Sequence, residues 1–152
     1  MYIAIASDHA GVALKEQLKE FLKEMKIESL DFGSNSSDPV DYPDFAKQVC
    51  DAVNKKRCDL GILVDSSGLG MSIAANKCKG IRCALCYNDH TAMLARNHND
   101  ANVLALGSKM LDAQKAKDIV KIFVNTNYSK EERHNKRINK IARLEQEYAG
   151  CK

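Results

Sequence analysis

The sequence has little that would loosen or divide it: two prolines in 152 residues and no Gly/Ser-rich linker. With 45% hydrophobic and 28% charged residues, this excludes a disordered chain. One domain over residues 1–152 is expected, long enough to bury its own core. No apolar segment approaches the length of a membrane span, and the chain opens on Tyr-Ile-Ala-Ile-Ala rather than a charged leader with an apolar stretch. No membrane partner is expected, and the cytoplasm is the expected location. Net charge is only +3, with no aromatic-interleaved basic patch, so a nucleic-acid partner is not expected either.

The six cysteines, Cys50, Cys58, Cys78, Cys83, Cys86 and Cys151, are scattered. In the one C-x-x-C, residues Cys83 and Cys86 lie in a strand-like run, where positions three apart face opposite ways. That suits neither zinc nor a redox turn. Buried or incidental thiols are expected, and no metal.

Strand-like and helix-like segments alternate along the chain. Strands are expected at 2–6, 27–32, 60–64, 81–86 and 103–106. Helices are expected at 13–26, around Phe45, Val49 and Val53, and at 72–77, 89–97, 113–124 and about 130–148. This order implies a three-layer α/β/α domain around a five-stranded parallel, doubly wound, Rossmann-like sheet, with an extended C-terminal helix. In such folds ligands lie beyond the carboxyl ends of the strands. Those ends carry Asp8, His9, Asp65, Ser67, Asn88 and Lys109.

The most informative stretch runs from Gly61 to Lys77: apolar run, Asp65, the turn Ser-Ser-Gly-Leu-Gly, then a helix-like run. Glycines admit a ligand close to the backbone, and the first N–H groups of a helix can hold an anion. The turn after the first strand has one glycine where a dinucleotide fingerprint has three. Gly68 and Gly70 are not followed by the Gly-Lys-Ser/Thr of a P-loop, so a small phosphorylated ligand fits better. Asp8-His9 pairs an acceptor with a switchable cation, or Asp8 simply caps the next helix. His98 sits in the polar run Ala-Arg-Asn-His-Asn-Asp-Ala-Asn, which also serves as a plain loop. Arg133 and Arg137, four apart, share a helical face that can clamp a phosphate or stand in solvent. Asp65 can act on a ligand or cap its own turn.

Taken together, these motifs resemble the RpiB/LacAB family of sugar-phosphate isomerases, and within it the type B ribose-5-phosphate isomerases. The resemblance covers almost the whole chain. It is carried by Ile-Ala-Ser-Asp-His-Ala-Gly at 5–11, Asp-Tyr-Pro at 41–43, Gly-Leu-Gly-Met-Ser-Ile-Ala-Ala-Asn-Lys at 68–77, Gly-Ile-Arg at 80–82, Arg-Asn-His-Asn-Asp at 96–100 and Arg-His-Asn-Lys-Arg at 133–137. It implies interconversion of D-ribose 5-phosphate and D-ribulose 5-phosphate in the pentose phosphate pathway, through ring opening and a cis-enediolate, without metal or organic cofactor. His98 with Asp8 would manage ring-opening proton transfers. Ser67 and the backbone amides of Ser66, Ser67, Gly68, Leu69 and Gly70 would stabilise the enediolate, with Asn99 holding the same charge. His9, Arg133 and Arg137 would grip the phosphate, Lys109 would stand where relatives often have arginine, and Tyr42 would line the sugar site. A homodimer or homotetramer is implied, with the glycine turn of one subunit facing the Arg-Asn-His-Asn loop of its neighbour.

The chain departs from that pattern at its most reactive point. Most relatives place a cysteine base where Asp65 stands and glycine where Ser66 stands; another subset uses glutamate at the place of Met71, which cannot be a base. Asp65 is the obvious replacement. Aspartate ordinarily titrates near ~3.9 against ~8.5 for cysteine, so it is ionised at neutral pH but intrinsically the weaker base. An isomerase with Asp65 as carbon base is therefore expected. The alternatives are another sugar phosphate, a hexose 6-phosphate or tetrulose phosphate, or a catalytically silent sugar-phosphate-binding subunit.

Overall fold

The computed structural model describes residues 1–149; Cys151 lies outside the described residues. Five parallel strands, β1 (Tyr2–Ser7), β2 (Glu28–Asp31), β3 (Leu60–Asp65), β4 (Cys83–Leu85) and β5 (Val103–Gly107), form one sheet in the order β2-β1-β3-β5-β4. Six helices accompany them: α1 (Val12–Glu24), α2 (Tyr42–Asn54), α3 (Leu69–Ala75), α4 (Asp89–Asn97), α5 (Ala113–Asn125) and α6 (Glu132–Ala149). The expected three-layer, five-stranded parallel fold with its C-terminal helix is what forms.

Strand alternation divides the core into two. Ile3, Ile5, Ile62, Val64, Leu104 and Leu106 face Leu14, Leu18 and Leu22 of α1 and Ile119, Val120 and Phe123 of α5. Ala4, Ala6, Leu63 and Val103 face Val49, Cys50 and Val53 of α2 and Met71 and Ala75 of α3. Both faces of β3 are covered, so all six of its residues are buried, whereas β2, at the edge, alternates exposed and half-buried. Such two-sided covering is why a central parallel strand reads as a continuous apolar run.

Two elements differ from expectation for tertiary reasons. Strand β4 spans three residues rather than six, because the backbone N–H groups of Arg82 and Cys83 donate to the side-chain oxygens of Asn102 and Asn76 (2.8 and 2.9 Å) instead of joining a full ladder. Helix α3 starts at Leu69 rather than Ser72. Its entry is set by Gly68 at φ 83°, a left-handed conformation costly for any residue with a Cβ. A Cβ there would also lie 2.3 Å from Leu85 Cδ1.

The sequence offered no sign of the buried Lys15. Its fully buried ammonium donates to both carboxylate oxygens of Asp31 (2.8 Å each), to the Ser34 carbonyl (2.9 Å) and to Asn35 Oδ1 (2.8 Å), tying α1 to the chain leaving β2. Lys19 adds a contact to Asp31 at 2.6 Å. Burial pushes the Asp31 carboxyl up, but the two ammonium groups and the Gly33 N–H outweigh it and leave it below the usual carboxylate value. Replacing Lys15 by Met should cost about 2–4 kcal/mol, because Asp31 and the Ser34 carbonyl lose a buried partner while Lys19 retains part of the attraction. The check is a lower urea midpoint at unchanged slope.

Candidate active site

The order of strands reverses between β1 and β3: the chain leaves β1 toward β2 on one side, then returns to place β3 on the other. At the carboxyl ends of these neighbours lie the Asp8 loop and the glycine turn. The two are joined directly, since Asp8 N–H donates to the Val64 carbonyl at 3.0 Å. Gly11 lies so close that a Cβ on it would sit 2.5 Å from that same carbonyl oxygen. The loop after β5 completes the group. Ser108 N–H donates to the Asp65 carbonyl (2.8 Å), Lys109 N–H to the Ser66 carbonyl (2.9 Å) and Ser108 Oγ–H to the Ala10 carbonyl (3.0 Å). Tyr42 lies against Gly70, where a Cβ would meet its ring at 2.8 Å, and Tyr87 O–H donates to the Ser67 carbonyl at 2.8 Å.

Asp65 folds back into its own turn. Oδ1 accepts the Ser67 N–H at 2.9 Å and the Gly68 N–H in a short contact, while Oδ2 accepts the Met71 N–H at 2.9 Å. Asp65 is 4% exposed. Leu69 N–H is turned toward Ser67 Oγ at 3.2 Å. Of the amides expected to stabilise an enediolate, those of Ser67 and Gly68 already face a carboxylate. The reason is local. An aspartate at a strand end has the length to bond N–H groups two and three residues on, which a cysteine sulfur in the same place cannot do as a strong acceptor.

Asp8 behaves similarly, with Oδ1 accepting from Ala10 and Gly11 N–H at 2.9 and 3.0 Å. His9 Nδ1 accepts the Val40 N–H at 3.3 Å, which fixes Nε2 as the protonated nitrogen of the neutral ring. Asn88 caps α4 through the Thr91 N–H at 2.9 Å.

The remaining candidates gather elsewhere. Helix α4 runs back along the sheet, so His98, its C-cap, and Asn99 precede the amino end of β5. Neighbouring Asn102 shows which edge this is, for its carbonyl accepts the Gly61 N–H at the start of β3 (2.9 Å). Asp65 is at the other end of β3. A strand of that length spans roughly 15–20 Å, so within one chain the Asp8/Asp65 group and the His98/Asn99 group occupy opposite edges of the sheet. Arg133 and Arg137 belong to the second group, because His134 between them stacks on His98 with ring centroids 4.2 Å apart. Both arginines are exposed, Arg133 donating to Glu131 Oε2 at 2.7 Å.

Supporting residues that the sequence reading quoted in motifs but gave no role hold the second group. Arg82 Nη2 and Arg96 Nη1 converge on the two Asp100 carboxylate oxygens, each at 3.0 Å, and Arg82 Nε donates to the Asn99 carbonyl at 3.0 Å. The Arg96/Asp100 spacing of four was a usable signal; the convergence of Arg82 was not. His134 is 2% exposed and its Nδ1 pairs with Ser129 Oγ at 2.9 Å. Burial pushes its imidazole below the usual histidine value, helped by the charges of His98, Arg133 and Arg137 and opposed by Glu131.

A model for the family described as Ribose/Galactose Isomerase matches residues 3–141. The chain belongs to this family. Ribose-5-phosphate isomerase B of Escherichia coli is 42% identical over 144 residues, 95% of this chain and 96% of that protein. The structure of Clostridium thermocellum ribose-5-phosphate isomerase B superimposes with a TM-score of 0.95 at 44% identity, covering 97% of this chain and 99% of that one. That of Mycoplasma genitalium ribose-5-phosphate isomerase B, described with bound ribulose-5-phosphate, gives 0.91 at 44% identity, covering 96% and 97%. On this fold Asp65 closes the glycine turn at the switch point between β1 and β3.

Two outcomes follow. Asp65→Asn retains one acceptor but sets an amide donor against a backbone donor, so it should lower stability by about 1–3 kcal/mol in chemical denaturation. The unfolded chain protonates His134 near ~6.5 while the folded chain resists, so stability should fall as pH drops below that value. His134→Phe should flatten this part of the pH–stability curve.

Proposed function

We propose that this protein is a cofactor-free aldose–ketose isomerase that interconverts D-ribose 5-phosphate and D-ribulose 5-phosphate. The observation that carries the reading is 44% identity, over nearly the full chain, to the Mycoplasma genitalium enzyme described with bound ribulose-5-phosphate. The polar groups at the switch point supply matching chemistry. A single domain in the cytoplasm is part of the same proposal.

The working form is a homodimer, or a homotetramer built from two such dimers, with a site shared between copies. Two features support this. In one chain the Asp8/Asp65 and His98/Asn99 groups stand at opposite edges of the sheet, so one reaction centre using both needs a second copy. Apolar side chains also stand uncovered: Leu69 and Ile73 of α3 are 54% and 60% exposed, and Ile141 and Leu144 of α6 are 47% and 53% exposed. Exposed apolar pairs on helix faces are surface that an interface would cover.

In the shared site, His98 of one copy and Asp8 of the other open the furanose, one giving a proton to the ring oxygen and the other taking that of the C1 hydroxyl. His9, Lys109, Arg133 and Arg137 hold the phosphate. Asp65 is the carbon base. A carboxylate offers about four lone-pair sites, and three are used by N–H donors, leaving one on Oδ2. The C2–H bond breaks, its electron pair enters the C1–C2 bond, the carbonyl oxygen takes the charge and Asp65 takes the proton. Neutral Asp65 then holds the Ser67 and Gly68 N–H groups less strongly, and the same donors, with Ser67 Oγ and Asn99, serve the enediolate. Return of the proton to C1, with the O2 proton passing to O1, yields the ketose.

The test is incubation with ribose 5-phosphate in deuterated water. Wild type should form ketose and exchange hydrogen at C2, and absence of both would sink the reading. Asp65→Asn and His98→Ala should each be inactive alone, whereas their equimolar mixture, after subunit exchange, should recover about a quarter of wild-type activity, one intact site in each mixed dimer. No recovery would refute the shared site.

A further inference from the structure

The ring pair at the amino edge contains a histidine that neither the sequence reading nor the reaction above uses. His134 is 2% exposed, yet it spends its burial on few partners: Ser129 Oγ at 2.9 Å from Nδ1, and the tilted face of His98, with centroids 4.2 Å apart and planes at 38°. The loop between α5 and α6 is built to hold it there. Ser129 N–H donates to the Asn97 carbonyl at 3.0 Å, Asn97 Nδ2 to the Asn127 carbonyl at 3.2 Å, and His134 N–H to the Glu131 carbonyl at 2.9 Å. This stitches the start of α6 to the end of α4, one residue before His98.

We propose that His134 is a positioning residue for His98, fixing the plane of its ring for the proton transfers of ring opening. The proposal rests on the reading of His98 given above. A half-buried imidazole at a helix C-cap has its backbone tied by the His98 N–H to the Leu94 carbonyl at 2.9 Å, but its ring is free to turn about χ1 and χ2 unless something packs on it. The His134 ring, itself anchored by Ser129, supplies that surface. The ionisable groups around it are His98, Arg133, Arg137 and Glu131.

The chemistry of the two sugars separates this role from a merely structural one. Ribose 5-phosphate closes to a furanose through its C4 hydroxyl and must be opened. Ribulose 5-phosphate cannot form the furanose, because the C5 oxygen it would need carries the phosphate, so loss of its C1 proton requires the base and the enediolate donors but no ring opening. The full-length protein is therefore assayed in two ways: kcat and KM with ribose 5-phosphate, and C1 deuterium exchange from ribulose 5-phosphate.

His134→Ala should lower kcat on the aldose about tenfold or more, with KM changed less than about twofold, and leave C1 exchange from the ketose within about threefold. His134→Phe, which keeps a flat ring but loses the Ser129 bond, should recover part of the aldose rate. Ser129→Ala, which retains both rings, should show a smaller loss of the same selectivity, and it carries the comparison if His134→Ala does not fold. Equal loss of both activities, or aldose turnover like wild type, would overturn the positioning role while leaving the isomerase reading intact. Wild type lacking both activities would remove that reading and this proposal together.

Discussion

The return path of a helix between parallel strands governs the layout of this molecule. A crossover brings the chain back to the amino edge before the next strand begins, so α4 delivers His98 and Asn99 beside the starts of β3 and β5, while Asp8 and Asp65 stand at the strand ends. No side-chain rearrangement spans that distance. The candidate polar residues therefore form two groups, each with its own scaffold, and the uncovered apolar residues of α3 and α6 fit the proposed form in which copies meet.

Each group is held by its own polar network. At the strand ends, Asp65 gathers three N–H groups of one turn, and the Ser108 and Lys109 amides lock the neighbouring carbonyls. At the amino edge, Arg82 and Arg96 share Asp100, and Ser129 holds His134 against His98. These networks preorganise loops that the hydrophobic core alone would leave free, which is where catalytic electrostatics gains most. Asp65 is the point at which scaffold and the proposed chemistry overlap, since the carboxylate that shapes the turn is also the proposed base.

Much of this was legible in the chain. The apolar runs of β1, β3 and β5 mark strands buried on both faces, and the bounds of α4 are as its pattern suggests, because an Asn88 cap and a short amphipathic run leave little freedom. The start of α3 was not legible. It depends on Gly68 approaching Leu85 and Leu106 and on Tyr42 lying over Gly70, contacts between segments far apart in sequence. Lys15 was hidden for a related reason: a lysine within an amphipathic helix reads as surface until Asp31, Ser34 and Asn35 are seen around it.

By itself the sequence determined the fold class and the family and named the candidate residues, because periodicity and motif order are properties of the chain read in line. Only the tertiary structure decided how those residues group. It turned the Asp65 carboxylate inward onto Ser67, Gly68 and Met71, paired His98 with His134, and set the two groups on opposite edges of the sheet. Hydrogen-bond acceptance and ring contact depend on direction and distance in space, and linear spacing encodes neither once the chain has crossed the sheet.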